Sequence, residues 1–144
     1  MNKTDQALSC FSKGFNCSQA VFSVYNKQLG ISKKTALKVS SAFGGGICRT
    51  GNTCGVVTGA LMVIGLKYGK SKKDDKDAKE KTYAISQEFI KRFNSKNNSV
   101  LCKDLLGYDV STPEGFKMVN EKDLHNKLCT KFIKDAIQII EEIL

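Results

Sequence analysis

Tryptophan is absent from this chain of 144 residues, and proline and histidine occur once each, as Pro113 and His125. A single proline leaves helices free to run, because proline inside a helix removes a backbone donor and clashes with the preceding turn. A single histidine means that any Ser/His/Asp set has only His125 to draw on. Six cysteines are present, yet no two form a Cys-x-x-Cys pair, which argues against zinc ribbons, ferredoxins and thioredoxin-like sites. Gly44-Gly45-Gly46 lacks the lysine and spacing of a phosphate-binding loop and follows no strand pattern. Long apolar runs are missing too. The most apolar stretch, residues 54–66, is broken by Thr58, Gly55, Gly59 and Gly65 and is too short to span a bilayer. The first ten residues, MNKTDQALSC, have no apolar core of a signal peptide. The expected location is cytoplasmic, where thiols stay reduced and cysteines serve metals or redox chemistry more than structural bridges.

Acidic residues are scarce in the first half. Residues 1–73 carry eleven Lys or Arg against Asp5 alone, a net of +10, and residues 74–144 carry twelve basic and thirteen acidic side chains, a net of −1. Such asymmetry marks either a solvated lysine surface or an anionic partner. Nucleic acid is disfavoured, since no basic cluster is interleaved with stacking aromatics and no nucleic-acid motif occurs. The positive excess also suits an anionic thiolate cluster, or an acidic redox partner steered toward one.

Apolar residues recur with helical period almost throughout. The expected fold is all-α: one domain over residues 1–144, a bundle of about five to seven helices around a glycine-containing central helix. The first helix runs from Thr4 to Gly14 with Ala7, Leu8 and Phe11 inward. The second starts at Asn16, buries Ala20, Val21, Val24 and Tyr25, and stops at Gly30. Ser32 caps a third, with Leu37, Val39 and Phe43 inward. The central helix spans Cys54 to about Lys67, and its three glycines each call for a packing reason, since glycine costs roughly 1 kcal/mol against alanine in a helix interior. Gly55 and Gly59, four apart, open one face to a neighbouring backbone, bordered by Cys54 and Thr58. A charged link over 69–77 precedes a long helix with Ala78, Ile85, Phe89, Ile90 and Phe93 on its stripe. Asn94 to Asn98 read as a polar turn, the segment from Ser99 to Gly107 as a short helix, and Thr112-Pro113-Glu114 as a brief helical turn. The last helix begins near Asn120, with Asp123 answering its cap.

Cys17, Cys54, Cys102 and Cys129 carry the strongest chemical signal. Asn16 precedes Cys17, Thr53 precedes Cys54, and Ser99 stands three before Cys102. Each polar residue can cap a helix, and a cysteine in a first turn has its thiolate stabilised there. Cys129 lies mid-helix on an apolar side, between Leu128 and Phe132. Taken singly, each cysteine also reads as a small core residue. Cys10 packs in the first helix. Cys48, in the glycine loop, reads as exposed, as a spare ligand or as a resolving thiol for Cys54. His125, four before Cys129, is a boundary histidine on an amphipathic helix, or an extra ligand or proton donor.

One set of segments is distinctive: Phe15-Asn16-Cys17-Ser18-Gln19-Ala20-Val21, then Gly44-Gly45-Gly46, then Gly51 through Met62 with Cys54-Gly55-Val56-Val57-Thr58-Gly59 at its centre, then Cys102 with Leu105-Leu106-Gly107. In this order the chain resembles the C-GCAxxG-C-C family of redox-active proteins, from about Phe15 to the last helix. The family's four cysteines correspond to Cys17, Cys54, Cys102 and Cys129; Cys10 and Cys48 fall outside the pattern, and Val56 stands where the motif has alanine. The resemblance implies redox activity, four converging cysteines and a prosthetic group such as an iron–sulfur cluster.

The leading expectation is that those four cysteines ligate an iron–sulfur cluster, or zinc as the alternative tetrahedral thiolate metal, for electron transfer or redox sensing. Gly55 and Gly59 would leave room for the inorganic core and offer backbone N–H groups to sulfur. A second reading is a thiol–disulfide oxidoreductase, with Cys54 attacking and Cys17, Cys48 or Cys102 resolving. A third is a basic anion-binding module whose cysteines merely pack. A site shared between two copies of the chain is open.

Overall fold

The computed structural model describes residues 1–144, and its regular structure is helical apart from one isolated bridge between Thr53 and Leu101. Eight α-helices follow in order: α1 (Lys3–Ser12), α2 (Cys17–Ser23), α3 (Lys33–Val39), α4 (Gly55–Tyr68), α5 (Lys76–Asn97), α6 (Cys102–Leu106), α7 (Pro113–Glu121) and α8 (Thr130–Ile143). A 3-10 turn at Ser41–Phe43 follows α3, and a π-helical segment at His125–Cys129 leads into α8. The all-α class holds, with more helices than the expected five to seven, because the turn opened by Pro113 continues as nine-residue α7. No helix is long and apolar enough to cross a membrane.

α4 is the central helix, packed against α2, α5 and α8. None of its residues from 55 to 64 is exposed, as an apolar sequence with no charge before Lys67 requires. Around it, Val21 and Tyr25 close one side. Phe89 and Phe93 of α5 stack at 6.1 Å between ring centroids, and Ile133, Ile137 and Ile140 of α8 fill the rest. Phe93 also meets Phe132 edge-on at 6.3 Å, an arrangement that adds about 0.5–1.5 kcal/mol beyond burial.

The local signals were mostly sufficient. Asn2, Asn16, Ser32, Asp75 and Thr112 accept N-cap hydrogen bonds, and Asn16 completes a capping box with Gln19. Four boundaries differ from expectation: the second helix stops at Ser23, not Gly30, and the third at Val39, with Phe43 in the separate 3-10 turn. The polar run Asn94 to Asn98 is not a turn, since α5 continues through Asn97 and Asn98 ends it at φ 64°, a conformation asparagine tolerates. The last helix does not begin near Asn120; α7 occupies that stretch, and the chain breaks at Asp123, φ 53°, before restarting. Val39, expected inward, is 52% exposed, and Ala36 fills the inner position of short α3.

The three glycines of α4 divide sharply. A Cβ on Gly55 would strike Cys17 Sγ, and one on Gly59 would stand 2.8 Å from the Ser18 carbonyl oxygen, so α2 lies directly on both. Gly65 meets nothing within 4 Å, and the expectation that it too has a packing reason fails. Gly65→Ala is therefore expected to raise stability by about 1 kcal/mol through helix propensity, read as a higher urea midpoint at unchanged slope.

Candidate functional site

Residues 51–54 and 100–103 run antiparallel for one bridge. The Cys54 N–H donates to the Val100 carbonyl at 2.7 Å, the Cys102 N–H to the Asn52 carbonyl at 2.7 Å, and the Lys103 N–H to the Gly51 carbonyl at 3.3 Å. Cys54 and Cys102, 48 positions apart, are thus fixed beside each other by backbone. The expected caps therefore shift. Cys54 itself is the N-cap of α4, with Thr53 outside it in the bridge. Ser99 Oγ accepts from Leu101 N–H and donates to Asp104 Oδ2, so it orders the turn before α6 while Leu101 takes the cap position.

Cys17 arrives from the other side, as the first residue of α2. The missing side chains of Gly55 and Gly59 let α2 approach α4 until the Cys17 sulfur sits over Gly55, and Ser18 Oγ lies 3.4 Å from Thr58 Oγ1. Cys129 ends the π-helical segment, its sulfur 3.7 Å from His125 Nδ1. Widened helical turns of this kind recur at functional sites. No periodicity in the sequence announces this one.

All four cysteines line one cavity of about 630 Å³, and each is only 6–9% exposed. No carboxylate lines it. No three Cys, His, Asp or Glu side chains stand close enough to share a single metal ion. Cys48 and His125 also line the cavity. Cys10 does not; it is buried in α1 with its sulfur 3.7 Å from Ser23 Oγ, the packing role expected of it.

The four thiols are not equivalent. The Cys17 thiol is held below the ordinary range, first by the neighbouring Cys54 side chain and then by backbone N–H groups at Ser18, Gly55 and Cys17 itself, against the cost of burial. Cys54 is pushed well up by its pairing with the Cys17 side chain, by burial and by the Cys17 charge. Burial, then the charges of Cys17 and Asp109, pushes Cys102 up to about 12. Cys129 is pushed further up by burial and by the charges of Cys17 and Cys102. Helix starts were expected to favour thiolate at Cys17, Cys54 and Cys102. Only Cys17 gathers enough donors to outweigh burial. Burial also keeps His125 neutral to lower pH than usual, opposed by Asp123 and aided by Arg49.

These shifts carry a sign for stability. The Cys102 thiol titrates higher in the fold than the value of about 8.5 for an unfolded thiol, so its contribution is complete below about pH 8.5 and is lost as pH rises toward 12. The reduced, metal-free chain is expected to lose about 1.4 kcal/mol per pH unit from this thiol over that window. Urea titrations of wild type and Cys102→Ala at pH 8 and pH 10 check it, the variant showing the shallower decline.

The cavity mouth is built from strained backbone. Gly45, Gly46, Ile47, Cys48 and Arg49 all have positive φ, at 65°, 67°, 66°, 44° and 63°. Left-handed conformation costs roughly 1–2 kcal/mol for each non-glycine residue, and such strain gathers where function over-determines geometry. The turn is closed by Arg49 N–H to the Gly44 carbonyl at 3.1 Å, Gly51 N–H to Gly45 at 3.1 Å and Asn52 N–H to Gly46 at 2.9 Å. It leaves Cys48 exposed and sets the Arg49 guanidinium 4.7 Å above the Phe116 ring. Sequence reasoning missed Arg49 and Phe116, which no spacing rule links.

A family model described as "Putative redox-active protein (C_GCAxxG_C_C)" matches residues 15–143, and the chain belongs to that family. No curated protein and no solved structure matches it.

Proposed function

We propose that in this member of the redox-active family the four cysteines Cys17, Cys54, Cys102 and Cys129 hold an iron–sulfur cluster, used for electron transfer or redox sensing. The observation that carries the reading is their meeting, from four separate segments, on one cavity free of carboxylates. An all-sulfur donor set suits iron–sulfur clusters and zinc alike. When bound, the cluster would supply one-electron chemistry.

The chain's own residues have definite tasks in this reading. Ser18 and Gly55 present N–H groups to the Cys17 sulfur, which stabilises ligand charge and raises a centre's reduction potential. Gly55 and Gly59 keep α2 and α4 close. Leu106, Val110 and Phe132 line the same cavity and would limit water around the sulfurs. His125, neutral beside Cys129, can hold or release a proton there. The basic first half would steer an acidic protein partner toward the site. Anaerobic purification from iron-replete cells, with iron, sulfide and zinc analysis and visible spectra, tests the proposal. About equal iron and acid-labile sulfide with charge-transfer absorption is the expected result; a colourless protein that also fails chemical reconstitution would sink it.

A second reading is favoured by the opposite ionisation of two neighbouring thiols, Cys17 held down and Cys54 pushed up. The pair would work as a dithiol with Cys17, not Cys54, as the attacking thiolate. Cys17 attacks an external disulfide and the leaving sulfur takes the Cys54 proton. Cys54 then attacks Cys17, closing an internal disulfide, and the second leaving sulfur is protonated by solvent. Two electrons thus pass to the external disulfide, which becomes two thiols. Mass spectrometry distinguishes the readings: this one requires a reversible loss of two hydrogens mapped to Cys17 and Cys54 in metal-free protein.

A further inference from the structure

Arg49 has no use in either reading above. The four ion pairs of the chain engage Arg92, Lys117 and Lys131, and none engages Arg49. Its guanidinium lies 4.7 Å over the Phe116 ring beside the cavity, in a turn of left-handed residues. Stacking on a ring leaves the N–H edge of a guanidinium free, and that planar fork is suited to carboxylate, sulfonate or phosphate oxygens. Asn120 and His125 line the same mouth, and Leu105, Val110 and Phe116 supply apolar wall. No acid lines the cavity to neutralise the arginine. The volume, about 630 Å³, falls within the range of small-molecule sites, which combine apolar walls with a few convergent polar groups.

We propose that this mouth binds a small organic anion with an apolar body, its charged end on Arg49 and its body against Phe116, Leu105 and Val110. The anion would lie in the same cavity as the four cysteines, as a small-molecule partner or effector of that centre. The proposal uses the cavity's mouth, so it stands whichever group or bond the cysteines carry.

The test uses the full-length protein as purified and two dyes that share their rings. 1-Anilinonaphthalene-8-sulfonate carries the anion, and N-phenyl-1-naphthylamine lacks it. Wild type is expected to bind the sulfonate saturably at one site per chain. Arg49→Gln is expected to weaken sulfonate binding by about tenfold or more, since charge-assisted hydrogen bonds are lost, while binding of the neutral amine changes less than about twofold. Arg49→Lys restores part of the affinity, because the charge remains and the fork does not. Phe116→Leu weakens both dyes. Arg49 is exposed, so thermal melts of its variants should match wild type and separate binding from folding. Sulfonate affinity that is equal in wild type and Arg49→Gln, loss of both dyes together in Arg49→Gln, or no saturable binding by wild type would each overturn the proposal. None of these results bears on metal content, so this proposal and the redox centre fail independently.

Discussion

Cys17→Ala is expected to abolish the fast phase of thiol alkylation at neutral pH in the reduced, metal-free protein, and Cys54→Ala to slow it. Proton ownership within one thiol pair decides this. The Cys54 side chain and N–H groups from the starts of α2 and α4 all favour charge on the Cys17 sulfur. Charge therefore collects on Cys17, and the proton stays on Cys54. Losing the Cys54 side chain should thus raise Cys17 and cut its thiolate fraction. The experiment belongs in a Cys48→Ser background, since Cys48 is exposed and would react on its own. Iodoacetamide rates from pH 6 to 10, with peptide mapping of the label, give the answer. Fast label on Cys54 in the Cys17→Ala protein would reverse the assignment within the pair.

The same contact shows what a linear sequence carries and what it withholds. Asn16-Cys17 with Gln19 is a complete local signal: cap, box and first-turn cysteine all follow from side chains within four positions. The spacing of Gly55 and Gly59 likewise announced a close helix contact, and α2 occupies it. Thr53 and Ser99 carried the same kind of signal and did not become helix caps. Their neighbours pair across 48 positions, and that backbone pairing claims the groups a cap would have used. Local rules cannot see such a bridge, because its energy arises only once the helices have packed. The π-helical segment under His125 and Cys129 and the left-handed turn under Arg49 are of the same sort. Each is locally unfavourable and is held by tertiary contacts, so propensity points away from it. The cysteines could be named from sequence, but the difference in their ionisation could not, because burial sets it for Cys102 and Cys129 and several groups brought together by the fold decide it for Cys17.

Gly46→Ala is expected to cost about 2–5 kcal/mol, a large part of the 5–15 kcal/mol that holds a typical domain folded. Two effects combine at this residue. Its φ of 67° places any Cβ in a left-handed conformation, at roughly 1–2 kcal/mol. That Cβ would also stand 2.6 Å from Cys102 Cβ and 2.7 Å from both the N and O of Asn52, and overpacking of this kind costs about 1–3 kcal/mol. Gly14 and Gly107 separate the two contributions. Both have positive φ, 106° and 77°, and neither meets an atom within 4 Å, so alanine there should cost the conformational part alone. Urea midpoints for the three variants should place Gly46→Ala well below the other two. The damage should also be chemical. Asn52 accepts the N–H of Cys102 and donates its own to Gly46, so a methyl that displaces Asn52 drags the Cys102 sulfur from its neighbours. Iron incorporation, or the rate of Cys17–Cys54 disulfide closure where that is the operative chemistry, should therefore fall in Gly46→Ala at temperatures where it is still folded. Equal urea midpoints for Gly46→Ala and Gly14→Ala would mean that the glycine loop yields without moving the cysteines it touches.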